Sequence, residues 1–207
     1  MKVTAALSVL MLLGAGAQAS TDTRRFAIMR NGEQIGTHVI EVNRSGKEIS
    51  VAITTDLTVK VLFVTAYRLQ LTASERWVNG RLVALSSTSN NNGTRHFVSA
   101  EANGSGLEVK VDGKSIFIDP NIMPNSFWNP ELLGRPIMLD AQDGQIMAVS
   151  VRDGGEEELT INNKVVKAHR YTINSRYSQD VWYDEKARLV QAKLVARDGS
   201  VIMYRLL

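Results

Sequence analysis

The sequence predicts an all-β fold in which an antiparallel up-and-down meander curls into a barrel or half-barrel. Asn-Gly and Asp-Gly pairs, which favour the type I′ turns of β-hairpins, recur along the chain. Stretches of alternating or β-branched residues separate these pairs. The four prolines all fall between Asp119 and Pro136, where the strand pattern stops. An antiparallel sheet of about a dozen strands avoids exposed edges by curling. The segment from Asp119 to Pro136 is therefore expected to lie across the open mouth or the concave face of the curled sheet.

The expected strands lie between the turn pairs. The turn pairs are Asn31-Gly32, Asn79-Gly80, Asn92-Gly93, Asn103-Gly104, Asp112-Gly113, Asp143-Gly144, Asp153-Gly154 and Asp198-Gly199. Before the prolines, strands are expected over residues 26–30, 34–42, 48–59, 67–78, 81–88, 95–102, 107–111 and 115–118. After the prolines, strands are expected over residues 137–139, 145–151, 157–161, 165–174, 179–183, 188–196 and 201–206.

Lys60 to Val64 form the most continuously apolar stretch after the N-terminal region. A strand buried on both faces would have this composition, and so would one turn of an inward-packed helix, because periodicity does not separate the two over so few residues. Any helix is expected near Ala66 or within residues 121–133.

The proline-rich segment from Asp119 to Pro136 does not fit a central strand, because proline lacks the backbone donor that a sheet requires. Pro130 fits the start of a helical turn and Gly134 fits its end. The segment also contains Phe127 and Trp128. It is therefore predicted to be a Pro- and aromatic-rich cover over the open face of the sheet.

Residues 1–19 have the pattern of a secretory signal peptide. A positive start precedes a short apolar run, which ends in Ala17-Gln18-Ala19, a signal-peptidase pattern. The run is shorter than the roughly 18–20 apolar residues that a membrane span requires, so a transmembrane protein is not expected. Cleavage would leave residues 20–207 as a single β-meander domain. The chain has no cysteine, which favours the periplasm of a Gram-negative bacterium, so the predicted localisation is periplasmic or secreted.

Composition and motifs argue against several functions. The formal charge is +3 and the basic residues are scattered, so nucleic acid is not an expected partner. His38, His96 and His169 have no metal-ligand spacing, and neither a metal nor a cofactor is expected. Asp180 and Asp184 would lie roughly 13 Å apart on a strand, too far for a glycosidase pair. The sequence also lacks the common catalytic signatures, so no catalytic residue is assigned and the prediction leans against an enzyme without deciding it.

Several pieces of the sequence resemble a known group of proteins. The pieces are 30–38 (RNGEQIGTH), 77–82 (WVNGRL), 91–93 (NNG), 125–129 (NSFWN) and 180–184 (DVWYD). They are similar to exported bacterial proteins known as domains of unknown function, of the DUF6134 and DUF3108 kind. The resemblance implies a periplasmic β-rich domain akin to the lipoprotein-carrier half-barrels of the LolA and LolB kind, and it implies no catalytic residues.

The leading functional prediction is a non-enzymatic periplasmic binder or carrier of an apolar small molecule or lipid. The candidate ligand-binding residues are Phe63, Tyr67, Phe127, Trp128 and Trp182. The alternative is an envelope accessory protein that docks a protein partner. An interior cavity above about 300 Å³ with apolar walls would favour the carrier, whereas a filled interior with an exposed aromatic patch would favour docking. A barrel whose interior is simply its core remains open as a third interpretation.

Overall fold

The structure is a computed structural model that describes residues 19–104, 106–196 and 198–207. The predicted signal peptide, apart from Ala19, therefore lies outside the described residues. Before the proline-rich segment the strands are β1 (Ser20–Arg30), β2 (Glu33–Ser45), β3 (Glu48–Val61), β4 (Val64–Val78), β5 (Arg81–Asn91), β6 (Thr94–Asn103), β7 (Gly106–Val111) and β8 (Lys114–Ile118). The remaining strands are β9 (Met123–Pro124), β10 (Ile137–Leu139), β11 (Ile146–Ala148), β12 (Ser150–Ile161), β13 (Lys164–Asn174), β14 (Ser178–Asp184), β15 (Leu189–Val195) and β16 (Val201–Leu206).

A 13-stranded antiparallel sheet forms most of the fold, in the order β12-β13-β14-β15-β16-β1-β2-β3-β4-β5-β6-β7-β8. The first and last strands pair in its middle, with Phe26 opposite Leu206 and Arg30 opposite Ile202. The predicted all-β class and antiparallel meander are confirmed. The sheet does not close, because β8 and β12 are its two edges. No helix in the described part of the chain is long and apolar enough to cross a membrane.

The turn pairs end the hairpins largely as predicted. Asn31 and Gly32, for example, have φ values of 49° and 93°, the left-handed conformation that a type I′ turn requires. Asp153-Gly154 is an exception, because it lies inside β12 at an irregularity of the β12–β13 pairing. The β12–β13 turn is formed instead by Asn162 and Asn163, at φ values of 51° and 61°. Asparagine tolerates this conformation without a glycine partner.

The predictions for Lys60 to Val64 are wrong. This stretch is neither a doubly buried strand nor a helical turn, but the end of β3, a two-residue turn and the first residue of β4. Leu62 and Phe63 form the turn and are 87% and 99% exposed. Ala66, where a helix was expected, lies within β4. Turn rules assign positive φ to glycine, asparagine and aspartate, so a Leu-Phe turn has no sequence signature.

Residues 119–149, called here the insert, interrupt the meander between β8 and β12. They contain a 3-10 helix (Pro130–Gly134), which the sequence predicted from its proline and glycine, and a small sheet in the order β11-β10-β9. The expected meander strand over 137–139 and most of the one over 145–151 are wrong: β10 and β11 pair with each other, and β10 pairs in parallel with β9. Ser150 and Val151 do belong to the meander, as the start of β12. The short apolar runs had the composition of meander strands, and only their partners differ.

The insert fills the concave side of the curled sheet. One buried cluster joins the inward residues of β1–β7 and β13–β15 to the insert residues Ile122, Met123, Trp128, Leu132, Met138, Leu139 and Met147. Hydrogen bonds fasten the insert to β5, where the Ser87 hydroxyl donates to the Ala141 carbonyl and the Ser89 hydroxyl donates to the Gln142 carbonyl at 2.7 Å. The interior is thus filled by protein, an arrangement that favours docking over a carrier with an interior cavity. The cleft described below lies at the end of the sheet.

Candidate functional site

A cleft of about 380 Å³ opens where the insert meets one end of the main sheet. We call it the end cleft. Three elements form it: the paired ends of β1 and β2, the start of the 3-10 helix, and the turn between β14 and β15 with the first residue of β15. Its lining residues are Asp22, Arg24, Ile40, Val42, Arg44, Trp128, Asn129, Pro130, Glu131, Lys186, Ala187, Arg188 and Leu189.

The floor of the end cleft is apolar. Ile40 and Val42 point inward from β2, two residues apart as the strand period requires, and both are buried. Leu189 at the start of β15 and Trp128 of the insert complete the floor. All four side chains also belong to the main core cluster. The cleft is therefore a gap at the edge of the core, with a floor formed by core side chains.

Trp128 is held in place by a buried carboxyl group. Its indole N–H donates to Glu75 Oε2 at 2.7 Å, and the indole N–H of Trp77 donates to the same oxygen at 2.8 Å. Glu75 lies on β4 and is fully enclosed, and its Oε1 has no hydrogen-bond partner among the described residues. Burial raises the pKa of Glu75, although the polar side chains of Trp128, Ser126 and Trp77 act in the opposite direction. The raised pKa favours the neutral acid.

Part of the rim charge is neutralised within the protein. Arg24 lies 3.3 Å from Asp22 and 4.0 Å from Asp184, and Arg188 lies 2.7 Å from Asp184. Burial acts to raise the pKa of Asp184, but hydrogen bonds from Arg188 and from the backbone of Lys186 outweigh it and lower that pKa. Asp184 therefore stays ionised and holds the β14–β15 turn against the first strand.

Two cations of the rim have no carboxylate partner within the described residues. Arg44 extends over the ring of Trp128, with its guanidinium carbon 5.9 Å from the ring centroid, and Lys186 lies in the exposed β14–β15 turn. Glu131 is the one rim carboxylate without an ion pair in the described part of the chain. Counting only the described residues, the rim thus has two free cations and one free anion above an apolar floor. This arrangement suits a ligand with an apolar body and an anionic group.

Of the five predicted ligand-binding residues, the structure brings two together. Trp128 lines the end cleft. Phe127 precedes it with a positive φ of 57°, packs against the main core, and accepts a hydrogen bond through its carbonyl from the Tyr183 hydroxyl at 3.0 Å. The insert therefore presents Trp128 to the cleft and is fixed through Phe127 to β14.

Phe63, Tyr67 and Trp182 lie elsewhere. Phe63 is in the exposed β3–β4 turn at the opposite end of the sheet, and Tyr67 packs near that end against the cluster of Ile28, Leu57 and Ile202. Trp182 donates its indole N–H to Glu157 at 2.9 Å and packs with Ala168 and Val190. Its neighbours in the strand, Val181 and Tyr183, join the main core, so Trp182 faces away from the concave side, as strand alternation predicts.

The three histidines occupy separate environments. His38 contacts Thr55 at 2.7 Å, His96 pairs with Asp112 at 2.8 Å, and His169 pairs with Asp153 at 2.6 Å. In the described part of the chain, no group of three or more His, Cys, Asp or Glu side chains is arranged to hold a metal ion.

Sequence reasoning missed the residues that give the end cleft its chemistry. The sequence singled out none of Arg44, Lys186 and Glu75 as a candidate site residue. Arg44 at the end of β2 and Lys186 after β14 are far apart in sequence, and no local pattern joins them. A signal was present only for Trp128, an aromatic residue in a segment that breaks the strand pattern.

A curled antiparallel sheet around an internal insert defines a β-barrel-like protein. A solved structure of that kind is similar to this chain: a β-barrel-like protein of domain of unknown function DUF1849 from Brucella abortus, with a TM-score of 0.66, 10% sequence identity, and coverage of 93% of this chain and 96% of that chain. The chain belongs to the DUF6134 family, described as a domain of unknown function, whose family model matches residues 26–207. No match was found among curated proteins.

Proposed function

We propose that the protein is a non-enzymatic periplasmic binder of an amphiphilic ligand, with an apolar chain on the floor of the end cleft and an anionic group at its rim. The observation that carries the proposal is the position of Arg44 and Lys186 above the floor formed by Ile40, Val42 and Trp128. Neither cation has a carboxylate partner among the residues that the structure describes. The cleft volume of about 380 Å³ lies within the usual range for small-molecule sites.

Export is part of the same proposal. The signal pattern of residues 1–19 and the absence of cysteine support a periplasmic location. A kinship with the lipoprotein-carrier half-barrels, which the sequence resemblance implies, is part of the proposal too. N-terminal sequencing of the protein recovered from its native host should begin at Ser20. A chain that begins at Met1 would contradict export.

Binding of a dansyl-labelled fatty acid tests the proposed site. The wild-type chain is expected to bind the probe, and Arg44→Gln/Lys186→Gln is expected to bind it on the order of tenfold more weakly, because the anionic group loses its charge-assisted partners. The dansyl-labelled fatty alcohol should bind both proteins equally. A wild-type chain that binds neither probe would overturn the proposal.

A matched control replaces two cations at the opposite end of the sheet. Lys110 and Lys114 lie on either side of the β7–β8 turn and do not line the cleft. Lys110→Gln/Lys114→Gln removes the same charge, so it tests for general electrostatic attraction. Its fatty-acid affinity should stay within about twofold of wild type, since exposed charges far from a site are screened. An equal loss in both double variants would contradict a specific site.

A second candidate function is docking of a protein partner by strand addition at β8. This edge strand is short, and its Ile116 and Phe117 are exposed. The other edge, β12, carries Glu156, Glu157 and Glu158, the kind of charge that blocks edge pairing. Cross-linking in the native cell envelope, compared between wild type and Phe117→Lys, tests this candidate: one protein lost specifically from the variant would support it.

A further inference from the structure

The β3–β4 hairpin ends in an exposed apolar tip. Its residues are Val61, Leu62, Phe63 and Val64, which are 51%, 87%, 99% and 68% exposed. They are consecutive, and Phe63 has almost no contact with the rest of the protein. We call these four residues the tip. Scattered exposed apolar residues are ordinary on protein surfaces, but four in succession at the end of a hairpin are not explained by the core.

The backbone of the tip is in a conformation that its side chains disfavour. Leu62 and Phe63 have φ values of 49° and 68°. A left-handed conformation costs an L-residue roughly 1–2 kcal/mol, and other hairpins of this sheet place Asn-Gly at the same turn positions. Strain held at an exposed site, with no contact that compensates it, is typical of functional positions.

Basic residues surround the base of the tip. Lys60 precedes it and pairs with Thr65 across the hairpin, and Arg68 follows it on β4. The β5–β6 turn lies alongside, because the Asn92 N–H donates to the Arg68 carbonyl at 2.7 Å, which brings the exposed Arg95 to the same end. Of these cations, Arg68 has a carboxylate within reach, Asp56 at 3.8 Å, while Lys60 and Arg95 have none among the described residues.

We propose that the tip inserts into a lipid surface that carries anionic head groups. Leu62 and Phe63 would enter the boundary between head groups and acyl chains, and Lys60, Arg68 and Arg95 would contact the phosphates. A stable protein interface buries about 800 Å² on each partner, more than four tip residues offer, whereas a membrane surface requires only insertion of the apolar side chains. The cations at the base of the tip favour an anionic lipid surface, since each nearby Lys or Arg adds attraction to such a surface.

The proposed membrane contact is independent of the proposed ligand. The strand registers place the tip at the end of the sheet that carries the β1–β2 turn, whereas the end cleft lies at the other end, beside the β2–β3 turn. No tip residue lines the cleft. The two sites can therefore be altered separately, and failure of one proposal leaves the other standing.

Co-sedimentation with vesicles tests the tip. Vesicles of phosphatidylcholine with phosphatidylglycerol are compared with phosphatidylcholine alone. The test variant is Leu62→Asn/Phe63→Gly, which installs the Asn-Gly pair of the other turns and so preserves the hairpin. The matched control is Phe117→Ser, which removes an exposed aromatic side chain from an edge strand. The three chains share the N-terminus of the protein recovered from its native host, so differences between them report on the substituted residues.

Wild type and Phe117→Ser are expected to bind anionic vesicles within about twofold of each other, and Leu62→Asn/Phe63→Gly at least about tenfold more weakly, because two apolar side chains no longer insert. Equal binding by wild type and the Asn-Gly variant, or no binding by wild type, would overturn the proposal. Equal wild-type binding to neutral and anionic vesicles would overturn the part assigned to the basic residues.

Fluorescence gives an independent readout of insertion. The native tryptophans Trp77, Trp128 and Trp182 are all buried. Phe63→Trp would add one exposed indole at the tip, and its emission is expected to shift to the blue when anionic vesicles are added, because the ring leaves water. An unchanged spectrum in the presence of vesicles that bind the protein would contradict insertion of the tip.

Discussion

The indole rings of Trp77 and Trp128 lie edge to face, with their centroids 5.5 Å apart and an interplanar angle of 80°. Trp77 belongs to β4 and Trp128 to the insert, and both donate their N–H groups to Glu75 Oε2. Aromatic pairs of this geometry add about 0.5–1.5 kcal/mol beyond their buried area. This contact fastens the insert to the sheet and sets the position of the cleft floor.

Truncation of Trp128 should destabilise the protein strongly. Trp128→Ala is expected to lower the free energy of unfolding by about 3–5 kcal/mol, because it leaves a cavity between the insert and the sheet. Trp128→Phe should lower it by about 1–3 kcal/mol, because the buried Glu75 oxygen loses one of its two donors. Urea denaturation measures both changes.

The control for Trp128→Phe is Trp182→Phe. Trp182 also donates to a carboxylate, that of Glu157. Because the Glu157 side chain is 34% exposed, water can replace the lost donor. The expected loss is below about 1 kcal/mol. Equal losses in the two phenylalanine variants would show that the buried acceptor does not stabilise the insert.

Glu75 should make the protein less stable as the pH rises. Burial raises its pKa in the folded protein above the ordinary value of 4.5. The folded state therefore holds the proton more tightly than the unfolded state, and the resulting stability is lost as the pH rises above about 4.5. In urea titrations between acidic and neutral pH, wild type should lose stability relative to Glu75→Gln. A constant difference between the two proteins across that range would contradict a raised pKa.

His38 should produce the opposite pH dependence. Its ring packs against Phe26 and Tyr204, and burial lowers its pKa from 6.5 to about 4. The unfolded chain is protonated below about pH 6.5 and the folded protein only below about pH 4, so stability falls as the pH drops through this window. Relative to His38→Gln, wild type should lose on the order of 2–3 kcal/mol between pH 7 and pH 4. Parallel stability curves would contradict this assignment.

Gly36 is required because the backbones of the paired strands β2 and β3 lie very close together at this position. A Cβ at this position would overlap the Asp56 carbonyl and lie 2.6 Å from the Leu57 Cα, both of which are backbone atoms that cannot move independently. Gly36→Ala should lower the free energy of unfolding by about 1–3 kcal/mol. Gly106→Ala is the matched control, because its Cβ would lie 3.5 Å from the Ile118 carbonyl, an ordinary contact. Similar unfolding midpoints for the two variants would contradict the close approach.

The tip should destabilise the fold that carries it. Asn and Gly adopt positive φ at lower cost than Leu62 and Phe63, whose side chains make few contacts with the rest of the protein. Replacing Leu62 and Phe63 by Asn-Gly should therefore raise the free energy of unfolding by about 1–2 kcal/mol. A gain in stability together with a loss of vesicle binding would identify the tip as a site kept for function. A loss of stability would show that the tip has a structural role instead.

Local patterns in the sequence determined the secondary structure. The Asn-Gly and Asp-Gly pairs set most hairpin turns, because glycine and asparagine reach positive φ at low cost, and alternation set the strands between them. Alternation also placed Val181 and Tyr183 on one face of β14 and Trp182 on the other, whereas only the structure shows which face is inward. The clustered prolines marked the insert. These features depend on neighbours in the chain, and a sequence records neighbours directly.

Only the tertiary structure decided where these elements meet. Residues 137–139 and 146–148 had the composition of meander strands, yet they pair within the insert, because their partners are chosen by packing inside the curled sheet. Phe63 and Trp128 are both aromatic residues with apolar neighbours in the sequence. The indole N–H of Trp128 donates to a buried acceptor, whereas Phe63 is exposed to solvent. Arg44 and Lys186 lie on the rim of the same cleft because the fold brings two distant segments of the chain together. Such contacts depend on how the sheet curls around the insert, which no local pattern encodes.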